Sequence, residues 1–142
     1  MIKYISIIFL IALLWSCDKE SLEGGESKSL VLKQAVEINV GECASDNGIL
    51  ELCVDSVSSD SRCPSDAICV WEGNAEVNVQ FSINGTSHNL VLNTNNSKSF
   101  PSDTTINQYH ISLTQLKPDP ISTTTINQED YVATLIVKEL ED

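Results

Sequence analysis

The chain has 142 residues, enough for one domain. It carries 8 basic and 20 acidic side chains, for a formal net charge of −12, and Arg62 is its one arginine. Nucleic acid is excluded as a partner, because phosphate binding needs clustered Lys and Arg; the acidity also opposes anionic membrane surfaces and reads chiefly as solubility.

Met1-Ile2-Lys3-Tyr4 is a short basic start, and Ile5 to Trp15 is apolar apart from Ser6. Such a run is too short for a stable membrane span and fits the apolar region of a signal peptide. It ends in Leu14-Trp15-Ser16-Cys17, which resembles a bacterial lipobox. The resemblance implies cleavage before Cys17, with lipid on its thiol and its amino group; two or more acyl chains anchor stably. The alternative is an ordinary secretory signal with an incidental cysteine. Residues 1–16 are thus expected to be a lipoprotein signal peptide, and residues 17–28, polar and Gly/Ser-rich, a lipid-anchored flexible linker. The acidic run after Cys17 resembles the surface-export signal of Bacteroidetes lipoproteins; Asp18 directly after the cysteine instead resembles the inner-membrane retention signal of enterobacteria. The expected location is the cell envelope, at the outer membrane.

Residues 29–142 read as strands. Val36, Ile38 and Val40 alternate with Glu37 and Asn39, the period of a half-buried strand. Asp46-Asn47-Gly48 is a hairpin signal, and Ile49 to Val57 returns as a strand. Ser58 to Ala67 reads as a loop. From Val70 the chain alternates through Trp71, Gly73, Ala75, Val77, Val79 and Phe81, which predicts the longest strand, with Trp71 in the core. Gly73 inside it predicts a bulge or a close backbone approach. Asn84-Gly85 is a tight turn, His88 to Leu92 a return strand, and Asn93 to Thr105 a polar loop. Tyr109 to Leu116 is a further strand, ended by Pro118 and Pro120; Ile121 to Asp130 is a second polar loop, and Tyr131 to Leu140 the last strand. About seven short strands with Gly, Asn and Pro turns predict an all-β domain, a single β-sandwich with immunoglobulin-like topology.

Cys17 belongs to the processing site. Cys43, Cys53, Cys63 and Cys69 form an even set in a small exported domain, which reads as two disulfides. The expected pairs are Cys63–Cys69, closing a short ring, and Cys43–Cys53, stapling the hairpin; the two mixed pairings stay open. A simple two-residue turn would set Cys43 opposite Leu52, so the second pair requires a bulge or a longer loop. Zinc is disfavoured, since no Cys-x-x-Cys pair occurs. Asp55, Asp60, Asp66 and Glu72 lack calcium-loop spacing. No metal and no cofactor is expected.

The densest stretch is Asp60-Ser61-Arg62-Cys63-Pro64 followed by Cys69-Val70-Trp71-Glu72-Gly73-Asn74-Ala75. Arg62 is expected to stack on Trp71 or to pair with Asp60 or Asp66, as a fork tying the loop to the sheet more than as a carboxylate clamp. Trp71 as a sugar platform is the alternative to a core Trp. The stretch resembles a pattern of small Bacteroidetes-type lipoproteins of unassigned function, as do Leu116-Lys117-Pro118-Asp119-Pro120 and Glu129-Asp130-Tyr131. The resemblance implies a lipid-anchored β-domain and brings no reaction or catalytic residue. Asp55-Ser56-Val57 and Asp103-Thr104-Thr105 resemble the Bacteroidetes O-glycosylation motif.

No Gly-x-Ser-x-Gly or His-Glu-x-x-His occurs, and His88 and His110 read as surface strand residues, so an enzyme is not expected. The function expected is that of a monomeric, lipid-anchored envelope protein, held to the membrane through Cys17, with a binding or structural β-domain facing a protein or glycan partner. Asp60, Arg62, Trp71 and Gly73 form its structural or binding motif. The alternative is a protease inhibitor presenting the disulfide-tied loop 63–69, which rigidity would favour.

Overall fold

Alternating burial drives the strands into two sheets. In Ala75–Ile83 the residues Ala75, Val77, Val79 and Phe81 are buried and those between them are half-buried; in Val132–Glu139 the buried set is Ala133, Leu135 and Val137. This period of two puts one face of each strand into a common core. The computed structural model describes residues 28–141. The expected signal peptide, Cys17 and the expected linker up to residue 27 lie outside them, whereas Lys28, expected in the linker, already belongs to the first strand.

Nine strands follow in order: β1 (Lys28–Ser29), β2 (Ala35–Asn39), β3 (Cys43–Ser45), β4 (Leu50–Asp60), β5 (Ala75–Ile83), β6 (Thr86–Asn93), β7 (Asp103–Ile106), β8 (Tyr109–Lys117) and β9 (Val132–Glu139). One sheet has the order β1-β3-β4-β5-β6, the other β2-β9-β8-β7. All pairs are antiparallel except β1 with β3. Leu52, Val54, Val79 and Phe81 of the first sheet share one core with Ile38, Ile111, Leu135 and Val137 of the second, and Phe81 meets Tyr109 edge-on at 5.9 Å. The domain is therefore an all-β sandwich. Each sheet is largely a meander of consecutive strands. This pairing does not establish the immunoglobulin-like order expected from strand count.

Two breaks in alternation mark bulges. Val54 and Val57, three apart, are both buried, and the β4–β5 register shifts between Val54 and Ser56. Leu113 and Leu116 behave the same way, with a shift between Leu113 and Gln115. An extra residue in one strand lets residues of odd spacing face the same side. Beyond the short β3, the edge of β4 is met by side chain instead of strand: the carboxamide of Gln128 accepts from Val57 N–H and donates to Val57 C=O, both at 2.9 Å.

The hairpins form at the expected dipeptides. Asn84 and Gly85 have φ of 50° and 80° and join Ile83 to Thr86 directly. At the first hairpin Asn47 and Gly48 have φ of 51° and 96°, but Ile49 is absorbed into the turn, so Cys43 faces Cys53. That one added residue is what the Cys43–Cys53 disulfide requires, and the bridge is present with Cα atoms 4.0 Å apart. Several element bounds differ from expectation, and Ser58–Asp60, read as the start of a loop, belong to β4. The longest strand is β4, with 11 residues, and β5 begins at Ala75 instead of Val70. A strand, β7, lies partly within the stretch read as the loop Asn93–Thr105.

Candidate functional site

The β4–β5 connection carries the motif. Its pairing continues past the strand ends: Ser61 N–H donates to Asn74 C=O at 2.7 Å and Cys63 N–H to Glu72 C=O at 2.9 Å. Between those rungs Gly73 has φ of +73°, and a Cβ there would collide with the Ser61 carbonyl oxygen. Glycine is required for both reasons: backbone occupies the side-chain space, and the left-handed conformation disfavours other residues. The expected close approach is thus found at Gly73, in a loop.

Arg62 faces the second sheet. Its Nε donates to Asp60 Oδ1 at 2.9 Å and its Nη2 to Asp60 Oδ2 at 2.7 Å. Nη1 donates to the Leu116 carbonyl at 2.6 Å and Nη2 also to that of Pro118 at 2.9 Å. The Lys117–Pro118 peptide is cis. Asp60 further accepts from the Arg62 N–H at 3.1 Å and the Tyr131 hydroxyl at 3.0 Å. The two charged side chains are only 11% and 10% exposed. Of the partners considered for Arg62, Asp60 is the one found; neither Trp71 nor Asp66 is. The planar guanidinium fork fits a carboxylate in this bidentate way.

Electrostatics follow from the geometry. Burial raises the Asp60 carboxyl, but the Arg62 hydrogen bonds and charge, with the Tyr131 bond, outweigh it and hold the group below the usual carboxylate range. Tyr131 is pushed up by burial and by Asp60. Asp66 is held low by the hydroxyl and N–H of Ser122, which it accepts at 2.7 and 2.9 Å.

The Cys63–Cys69 bridge closes the ring, with Cα atoms 5.9 Å apart. Ala67 N–H returns to Pro64 C=O at 3.0 Å, and Ser65 N–H donates to Pro120 C=O at 2.8 Å. Asp66 ties the same side to Ser122. On the other flank Asn74 donates to Asn93 Oδ1 at 2.7 Å, accepts from Asn95 N–H at 3.1 Å, and is followed by Ala75 N–H to Thr94 Oγ1 at 2.9 Å. A cleft of about 270 Å³ lies under the ring, lined in part by Arg62, Glu72, Asn95 and Asp119.

What this frame presents is apolar. Ile68 is 104% exposed, Val70 90% and Trp71 78%. The core placement of Trp71 is therefore corrected. Its apparent alternation with Ala75 does not make a strand, because Gly73 turns the chain between them and the Cys69 bridge carries Val70 and Trp71 away from the sheet.

The remaining candidates scatter. His110 sits near Asp103, Nε2 to Oδ2 3.5 Å, and shares a hydrogen bond with Thr105 at 3.2 Å; His88 is half-buried on β6. Asp60 and Asp66 are committed to Arg62 and Ser122 and do not gather with Asp55 and Glu72 around one point. Among the described residues, Cys43, Glu51 and Cys53 cluster at metal-ligand distances, but both sulfurs are in a disulfide and offer no thiolate. Ser56 is half-buried and accepts from Asn78 Nδ2 at 2.9 Å; Thr104 lies on β7.

The sequence reading missed the Gln128 clamp and the carbonyls of Leu116 and Pro118. Only the Leu116–Pro120 stretch, picked out as part of the recurring pattern, pointed toward them. No family model, curated protein or solved structure matches the chain.

Proposed function

We propose that the chain is a lipid-anchored cell-envelope protein whose β-sandwich is a binding module, with the Cys63–Cys69 loop as its contact surface. One observation carries this: three neighbouring large apolar side chains, Ile68, Val70 and Trp71, stand in water on a loop held by a disulfide, a buried ion pair and hydrogen bonds on both flanks. Apolar surface gains by leaving water, and a loop already ordered has less entropy to lose on binding. Two disulfides support an oxidising compartment, and Leu14-Trp15-Ser16-Cys17 supports the lipid anchor. The proposal assigns no reaction and no cofactor.

Two measurements test it. Mass spectrometry of the protein from its own envelope should show acylated Cys17 at the N-terminus; an unacylated, soluble wild type refutes the anchor. A photo-cross-linking residue at Ile68 should capture an envelope component in intact cells, while the same group at exposed Glu51 should not; equal labelling at both positions refutes the contact surface.

A second reading, protease inhibition, is favoured by the way the ring is clasped beside Ala67-Ile68, leaving Ile68 fully exposed. Inhibition of at least one protease at stoichiometric ratio is the expected result there. Unchanged activity across a broad panel removes the idea.

A further inference from the structure

We propose that the occupant of the Ile68, Val70 and Trp71 tip is the neutral headgroup layer of the bilayer to which the chain is tethered. This rests on the lipid-anchor reading above and adds the orientation of the domain. Strand β1 decides that orientation. Lys28 pairs with Ala44, Ala44 with Leu52, and β1 runs parallel to β3. The N-terminal end of β1 therefore points the way β4 runs forward, toward Asp60 and the motif loop. The chain enters the sandwich from the pole at which the apolar tip stands.

The lengths agree. From the level of Leu52 to Asp60 is eight residue steps, about 26 Å of strand. From Cys17 to Lys28 is eleven steps, a reach of at most about 40 Å. Eleven steps are therefore long enough to bring a lipid on Cys17 to the level of the tip.

Chemistry fits the interface more than the hydrocarbon. Trp prefers the headgroup level, where Ile68 and Val70 can leave water while Glu72 stays at the rim. The acidic surface selects against anionic lipid: residues 17–142 hold seven basic and twenty acidic side chains. Rigid clasping keeps the tip proud of the sandwich without a folding step on contact.

Trp71 reports directly, since Trp15 is the only other tryptophan and precedes Cys17. The test uses residues 17–142 with both disulfides formed, coupled through the free Cys17 thiol to a maleimide lipid in phosphatidylcholine vesicles. Coupling should shift Trp71 emission to the blue and make it quenchable by brominated acyl chains. Ile68→Ser/Val70→Ser should abolish most of both effects at an unchanged unfolding midpoint. Replacing half of the lipid by phosphatidylglycerol at low salt should weaken both, and added salt should restore them. Emission that stays at the uncoupled wavelength overturns the proposal and leaves a protein as the occupant; so does a shift that the double substitution does not touch. Because the maleimide supplies the anchor, the vesicle result judges the tip alone, while the acylation state of native Cys17 judges the anchor.

Discussion

Asp60 and Arg62 grip each other across one intervening residue, with two hydrogen bonds of 2.9 and 2.7 Å. Their side chains share a face as residues two apart on an extended chain do, and the same guanidinium reaches the carbonyls of Leu116 on β8 of the other sheet and of Pro118 just past its end. Arg62→Met keeps much of the volume but leaves a buried carboxylate without its cation. The expected loss is about 3–5 kcal/mol. Arg62→Lys should recover little, since an ammonium lacks the fork. Urea unfolding of these variants and of Asp60→Asn/Arg62→Met checks this; the double variant should lose less than the two single losses together.

The same pair sets the pH profile. The folded-state pKa of Asp60 is depressed, so its contribution is full above the unfolded value of about 4 and is lost as pH falls through the folded value. The pKa of Tyr131 is raised, so its contribution is full below about 10 and is lost as pH rises through the folded value. Asp60→Asn should flatten the acid limb of stability against pH. An acid limb as steep as wild type would assign it to other carboxylates, such as Asp66, whose pKa is also lowered.

Gly73 and Gly85 offer a paired comparison. Both have positive φ, but a Cβ on Gly85 meets nothing within 4 Å, whereas on Gly73 it meets the Ser61 carbonyl. Gly85→Ala should cost about 1–2 kcal/mol. Gly73→Ala should cost more than about 2 kcal/mol, because strain and displacement of backbone add. Equal losses in thermal or urea unfolding would show that the loop rearranges freely.

Trp71→Ser should leave stability within about 0.5 kcal/mol of wild type, as for exposed positions. The free protein should emit like tryptophan in water. An emission maximum typical of a buried indole, or a loss of several kcal/mol, would return Trp71 to the core.

Non-reducing peptide mapping should find one peptide carrying its own Cys63–Cys69 bridge, separate from Cys43–Cys53. Cys63→Ser/Cys69→Ser should cost about 2–3 kcal/mol on a loop-closure basis. Any Cys53 link to Cys63 or Cys69 contradicts the arrangement.

Local rules made most of the sandwich legible. Val77, Val79 and Phe81 alternate because one face of β5 is buried, and Asn84-Gly85 turns because its residues tolerate positive φ. The same rule misplaced Trp71: alternation of residue type continues through Gly73, but the backbone there leaves the extended region. β7 was hidden because Thr104 and Thr105 look like loop residues, although Ile106 before the turn at Asn107 was a signal. At the site, Asp60 could be named for Arg62 because it is two residues away. Leu116 and Pro118 are 54 and 56 residues away, Gln128 is 71 from Val57, and such pairings depend on how the sheets stack.

The clasp makes the ring an exchangeable part. Arg62 and Gly73 fix where the loop leaves and rejoins the β4–β5 hairpin, and Ser65 and Asp66 pin one side to Pro120 and Ser122. The side chains at 67, 68, 70 and 71 are exposed. A library randomised at those four positions, with Cys63 and Cys69 kept, should express as folded sandwiches across most of its members. The domain would then serve as a display scaffold, its recognition chosen separately from its stability.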